Sequence, residues 1–466
     1  MNPAAELAVA GFDAGTFRAT LARRVAYRTE SQNPERAGEL RRYLADEIAP
    51  SLHELGFTTQ LHDNPVAGAP PLLTAERFED AVLPTVLVYG HGDVVRGHEG
   101  QWAGGRDPWT LTSDSSTPAE RWYGRGGADN KGQHSINFAA LAAVMRARGG
   151  RLGFNAKVLV EMAEETGSPG LAEFCAAQRQ LLRADALIAS DGPRLHADRP
   201  TVYLGTRGVA NFDLVLKLRD GGHHSGNWGG LLRNPGTVLA SAIACLVDGR
   251  GVIQVPGLRP PPIPANVRAA LADLGVGGGP GDPAIDEGWG EPGLTAPERV
   301  FGWNTLEVLA IGCGNPAAPV NAIPAAARAT LQLRFVVGTD ARALRDNVRT
   351  HLARHGFGDI EVSEPVIMAA TRLDPDNDWV RLALGSLERA TGRKPALLPN
   401  LGGSLPNDVF ADILGLPTVW VPHSYPACSQ HAPNEHVLAP LMREGLAMMA
   451  TLFWDIGEAA ARLPRR

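Results

Sequence analysis

Apolar and polar positions along this chain alternate in two ways. Between residues 35 and 53, Leu40, Leu44 and Ile48 recur at helical spacing with charges on the other side, which predicts a surface helix. Short apolar runs at Thr85–Tyr89, Val158–Val160 and Ala186–Ala189 end in polar residues, and helix-like stretches such as Gln133–Arg148 separate them. This order predicts an α/β fold with a mixed, mainly parallel sheet flanked by helices on both faces. After Asp191 the texture changes. Val209–Lys217 and Ala329–Val337 are strand-like, Asp340–Arg354 is helix-like, and Val255–Pro283 is rich in proline and glycine. The expectation is one domain made of residues 1–207 and 369–466, interrupted by an inserted α+β unit at 208–368. The chain returns to the first domain with a helix at Trp379–Thr391 and a buried strand at Thr418–Val421.

A length of 466 residues agrees with two domains, since single cores stop growing at roughly 250–300 residues. Lysine plus arginine number 44 against 50 aspartate plus glutamate, with no block of one sign, which argues against nucleic acid or an anionic membrane as a partner. Cys175, Cys245, Cys313 and Cys428 are far apart, so neither a disulfide framework nor a zinc knuckle is indicated, and a cytoplasmic setting fits. The N-terminus lacks a basic stretch followed by an apolar run. No segment approaches ~18 uninterrupted apolar residues, so a soluble protein is expected.

Five acidic or histidine groups stand at the carboxyl ends of apolar runs or in the loops beyond, where ligand sites of open α/β sheets collect. In Gly90-His91-Gly-Asp93 a two-residue spacing on extended backbone puts both side chains on one face, so the carboxylate can orient a metal-bound imidazole. A simple histidine–aspartate pair at a strand end is the bland alternative. The glycine-dense loop Tyr123–Gly132 carries Asp129, which either bridges two cations or caps the following helix; the loop could also pass for an anion site. Glu164 and Glu165 follow a buried strand, where adjacent carboxylates favour a nearby cation, although such pairs are also common on solvated surfaces. Asp191 and His431 complete a set of two imidazoles and three carboxylates that suits zinc and tolerates manganese or cobalt.

Taken together, His91-x-Asp93, Asp129-x-Lys-Gly, Glu164-Glu165, Ser190-Asp191 and His431 resemble the co-catalytic dizinc carboxypeptidase and deacylase family, which includes the carnosinase-type dipeptidases. The resemblance runs from about residue 20 to residue 450 and implies a zinc-peptidase catalytic domain with an inserted lid and dimerisation domain. It implies two divalent cations, one held by His91 and Asp191, the other by Glu165 and His431, with Asp129 bridging. Asp93 would orient His91, and Glu164 would be the general base on the attacking water. Such chemistry is sound in itself: two cations lower the pKa of a water toward ~7, and a carboxylate in reach takes its proton.

Three further segments extend the resemblance. Gly222-His223-His224-Ser225-Gly226 is similar to the lid motif in which a histidine of one subunit reaches the other subunit's site; His224 aligns with it, while a plain surface loop is the alternative. Asn321-Ala-Ile-Pro324 with Leu331-Gln-Leu-Arg334 is similar to the segment supplying a substrate-carboxylate arginine, a role that suits the planar guanidinium fork. Gly402-Gly403-Ser404 is similar to a loop beside the substrate carboxylate, or is an ordinary turn. The implied substrate is a dipeptide or short peptide with a free C-terminal carboxylate; an N-acyl or N-carbamoyl amino acid is the alternative, and a non-catalytic dimeric binding protein a third reading. A homodimer through the lid is implied. One decoy is rejected: Gly312-x-Gly314-x-x-Ala317 matches a dinucleotide fingerprint, but Pro316 and Pro319 break the helix that would hold the pyrophosphate.

Overall fold

The computed structural model describes residues 2–279 and 283–465. An eight-stranded mixed sheet forms its centre, in the spatial order 58–62, 72–77, 155–161, 85–91, 186–189, 418–420, 201–203, 396–398. Strand Thr85–His91 runs parallel to both Asn155–Glu161 and Ala186–Ala189, and Thr418–Trp420 is parallel to Ala186–Ala189. The antiparallel pairs lie toward the two edges.

The central strands are buried along their length except at half-buried Thr85, as strands covered on both faces must be. Because successive side chains alternate, Val86 and Val88 join one core while Leu87 and Tyr89 join the other. The first core packs under helices Pro3–Asp13, Lys131–Ala147, Asp378–Thr391 and Ala439–Ala459. The expected helix over 35–53 is present as Ala37–Arg42, a wider turn at Tyr43–Ile48, and Ala49–His53, with Leu40, Leu44 and Ile48 buried.

A second, antiparallel sheet has five strands, with Gly208–Lys217 paired to Ala326–Phe335, and that strand paired to Thr305–Cys313. Burial alternates along Gly208–Lys217 and Ala326–Phe335, the mark of a sheet covered on one face. Helices Pro235–Leu246 and Leu344–Arg354 supply that cover through Leu239, Ala242, Leu246, Leu344, Val348 and Leu352. Within the proline- and glycine-rich stretch, Ile263, Val267 and Leu271 pack with Leu398 and Phe410 in the second core beside the central sheet. Pro280–Asp282 of that stretch lie outside the described residues. Gly314 is followed by turns, not by a helix, so the dinucleotide fingerprint has no structural counterpart. Among the described residues, no helix is long and apolar enough to cross a membrane.

Candidate active site

Strand order assembles the site. The neighbours 155–161, 85–91 and 186–189 are parallel, so their carboxyl ends place Glu164 and Glu165, His91, and Asp191 side by side. Asp129 precedes the helix Lys131–Ala147, and His431 lies in the loop before the strand His436–Leu438. That strand pairs antiparallel with Arg121–Tyr123, drawing the glycine-dense loop and the His431 loop together.

Asp129 stands between the two imidazoles. Its Oδ1 is 3.0 Å from His91 Nε2, and its Oδ2 is 3.0 Å from His431 Nε2. Asp191 Oδ2 is 3.5 Å from His91 Nε2, and Glu165 Oε2 is 3.1 Å from His431 Nε2. Two groups result, His91–Asp129–Asp191 and Asp129–Glu165–His431, each with ligand atoms within 4.8 Å of one another and with Asp129 common to both. Glu164 Oε2 lies 4.0 Å from His91 Nε2 without belonging to either group. The helix-cap alternative for Asp129 does not apply: Asn130 occupies the cap position, and the Asp129 oxygens face the imidazoles. Nor are the glutamates solvated, their side chains being 17% and 3% exposed.

Fully buried Asp93 does more than orient its neighbour. Its Oδ1 is 3.3 Å from His91 Nδ1, and its two oxygens accept the main-chain N–H groups of Glu164 at 3.2 Å and Glu165 at 3.1 Å. One carboxylate thus fixes the imidazole of one group and the loop that carries both glutamates, the kind of outer partner that sets ligand geometry.

So many acidic groups in a buried place perturb one another. Burial pushes the Glu165 carboxyl up to about 7, with the Asp129 charge adding to it. Glu164 is held well above the usual carboxylate range, chiefly by burial and then by the charges of Asp191 and Asp129, against the opposing pull of His91. Hydrogen bonds to Asp129 and Glu165 raise His431 to about 10. For His91, burial favours the neutral ring, but its contacts with Asp129, Asp191 and Asp93 outweigh this and lift it well above the ordinary histidine range. The donor set therefore suits divalent cations, which take the place of these protons. Asp191 Oδ2 supports the same fit, because it is buried, faces this cluster and has no hydrogen-bond partner.

The remaining expected residues fall at two separate places, at opposite ends of the strand Ala326–Phe335. Arg334 Nη1 donates to Ser404 Oγ at 3.1 Å, and Ser404 Oγ donates to the Arg207 carbonyl at 3.0 Å. Gly403 is exposed next to Ser404. Elsewhere His224 pairs with Ala322 in a short ribbon, and the Ser225 N–H donates to the Asn321 carbonyl at 3.0 Å, so His224 and Asn321 share one exposed corner. His224 Nδ1 accepts from the Gly226 N–H at 3.2 Å, which leaves Nε2 for another partner.

Several contributors were not legible in the motifs. The glycine-dense loop is indeed an anion nest, but the anion is the protein's own Glu435: its carboxylate accepts from the N–H groups of Gly126, Ala128 and Asp129 at 2.9–3.1 Å and from Arg125 Nη1 at 2.7 Å. Gln430 donates to Asp129 Oδ2. Gly132 is required by close packing, since a Cβ there would collide with the Gly127 carbonyl oxygen. His431 itself has φ 62°, a left-handed conformation rare outside glycine and a form of strain common at functional positions.

A chain with this sheet and this arrangement of acids and imidazoles falls in the class of metal-dependent peptidases. Residues 87–455 match Peptidase family M20/M25/M40, and the chain belongs to that family. It is 35% identical over 202 residues to the Beta-Ala-His dipeptidase of Rattus norvegicus, a match covering 43% of this chain and 40% of that protein, so the chain spans about two fifths of that relative's length. It is 27% identical over 375 residues to the cysteinylglycine-S-conjugate dipeptidase of Corynebacterium striatum, covering 77% of each. In fold it is similar to the M20 family metallo-carboxypeptidase Sso-CP2 from Sulfolobus solfataricus, with a TM-score of 0.77 at 23% identity over 95% of this chain and 99% of that one.

Proposed function

We propose that this protein hydrolyses the amide bond of a dipeptide or short peptide with a free C-terminal carboxylate, using two divalent cations. The observation that carries this reading is the pair of ligand groups joined by Asp129. His91 and Asp191 would hold one cation, Glu165 and His431 the other, and Asp129 both; the mixed nitrogen and oxygen donors favour zinc, with manganese or cobalt as substitutes. When bound, the cations supply Lewis acidity that polarises the scissile carbonyl and acidifies the attacking water.

Glu164, near the cluster yet outside both groups, takes the proton of that water and returns it to the leaving amine. Its raised affinity for protons suits this role, since a base must hold the proton long enough to deliver it. Arg334 binds the substrate carboxylate, with Ser404 and the main chain at Gly403 beside it, while Asn321, next to His224 at the far end of the strand Ala326–Phe335, joins the pocket from a partner subunit. His224 stabilises the oxyanion in the active site of a partner subunit, so the working form is a homodimer. The relatives' names, dipeptidases in both cases, favour a dipeptide over an N-acyl or N-carbamoyl amino acid. A cytoplasmic location belongs to the same proposal. The test is metal content per chain together with hydrolysis of a panel of dipeptides and N-acyl amino acids. Two cations per chain and dipeptide cleavage are expected; hydrolysis of N-acyl amino acids alone would move the assignment to a deacylase, and no metal-dependent hydrolysis would overturn it.

A further inference from the structure

Outside the site described above, the described residues contain one more group able to hold a cation: Cys245, His351 and His355. Cys245 lies near the end of the helix Pro235–Leu246, His351 sits in the helix Leu344–Arg354, and His355 immediately follows that helix. A spacing of four residues puts both rings on one side of the helix, with centroids 4.3 Å apart. One ligand atom from each of the three residues lies within 4.8 Å of the others. His351 Nε2 bonds the Cys245 carbonyl at 2.9 Å, and His355 Nδ1 bonds the His351 carbonyl at 2.9 Å. Each imidazole therefore uses one N–H on a main-chain carbonyl, the arrangement that fixes the tautomer of metal-ligating histidines and leaves the second nitrogen bare. His351 is buried, Cys245 half-buried and His355 exposed, so the group has a side open to entry.

We propose that Cys245, His351 and His355 form a zinc site beside the five-stranded sheet, separate from the peptidase centre. One thiolate and two imidazoles are a zinc donor set, and three protein ligands leave a fourth position for water. Burial pushes the Cys245 thiol above its ordinary pKa, so the thiol is protonated until a cation binds; on ligation the Sγ–H proton leaves to solvent and the sulfur bonds the metal. The ion would tie together the two helices that cover the five-stranded sheet.

Cobalt titration of the metal-free protein tests this. Cobalt bound to a thiolate gives a near-ultraviolet charge-transfer band, whereas the peptidase centre offers only oxygen and nitrogen donors. The wild type is expected to develop this band, zinc to abolish it, and Cys245→Ser to lack it while keeping peptide hydrolysis. The exposed His355→Ala should shift the titration to higher cobalt by at least about tenfold, since even outer-shell partners contribute that much to metal affinity. No band in the wild type, or a band that survives Cys245→Ser in folded protein, would overturn the proposal.

Discussion

Arg334 Nη1 donates to Ser404 Oγ at 3.1 Å, joining a strand of the antiparallel sheet to a loop that follows the strand Ala396–Leu398 of the central sheet. Nε of the same guanidinium donates to Gln332 at 2.9 Å, so the side chain is held from two directions. If this group reads the substrate carboxylate, Arg334→Ala lowers kcat/KM for a free-acid peptide, mainly through KM. The amidated peptide, lacking the charge, is a poor substrate for the wild type and little affected by the substitution. Lysine restores part of the loss, supplying charge without the fork. Comparing both proteins on both peptides decides the matter; an equal loss on acid and amide would make Arg334 structural.

Glu164 and Glu165 are adjacent in sequence but differ in placement, and their glutamine variants should differ accordingly. Glu164→Gln should reduce kcat by roughly 10²–10⁴-fold, the usual contribution of a general acid–base group, with metal content unchanged. Glu165→Gln removes a proposed ligand, so metal content and activity should fall together. Elemental analysis alongside kinetics distinguishes them, and full occupancy in Glu165→Gln would remove it from the ligand set.

Subunit mixing tests whether His224 acts across an interface. Neither His224→Ala nor Glu164→Ala should be active alone. After exchange of subunits, one site of each mixed dimer holds both intact residues, and activity should reappear. Exchange without recovery would place His224 outside the partner's site.

Metal uptake should release protons and strengthen as pH rises. His431 keeps its proton up to about 10, and Glu165 up to about 7, so near neutral pH both must lose protons before they can ligate. A proton-coupled step of this sign makes apparent affinity increase through neutrality and fade in acid. Calorimetric titration with zinc in two buffers of different ionisation enthalpy counts the protons; a count of zero near neutral pH would contradict the assigned ligands.

Periodicity is a local property, and what it reports was legible in the sequence. The buried runs at Thr85–Tyr89, Val158–Val160 and Ala186–Ala189 became central strands because residues covered on both faces must be continuously apolar. His91, Asp129, Glu164, Glu165, Asp191 and His431 could be named as candidates beforehand, because each stood at the end of such a run or in a loop and the order of their motifs resembles a known family. The helices of Val255–Pro283 escaped notice, because proline and glycine there hide the short apolar spacing of Ile263, Val267 and Leu271 that docks on the central sheet's second core. Glu435 was equally silent: its role depends on a glycine loop 306–310 residues away, brought near by one antiparallel pairing. So too with Asp93, whose neighbour His91 is local but whose hold on Glu164 and Glu165 spans 71 and 72 residues. Residue type decides which chemistry is available and spacing decides which face bears it. Which distant backbone N–H a buried carboxylate meets is decided only when the strands pair, because that partner is chosen by packing and not by sequence distance.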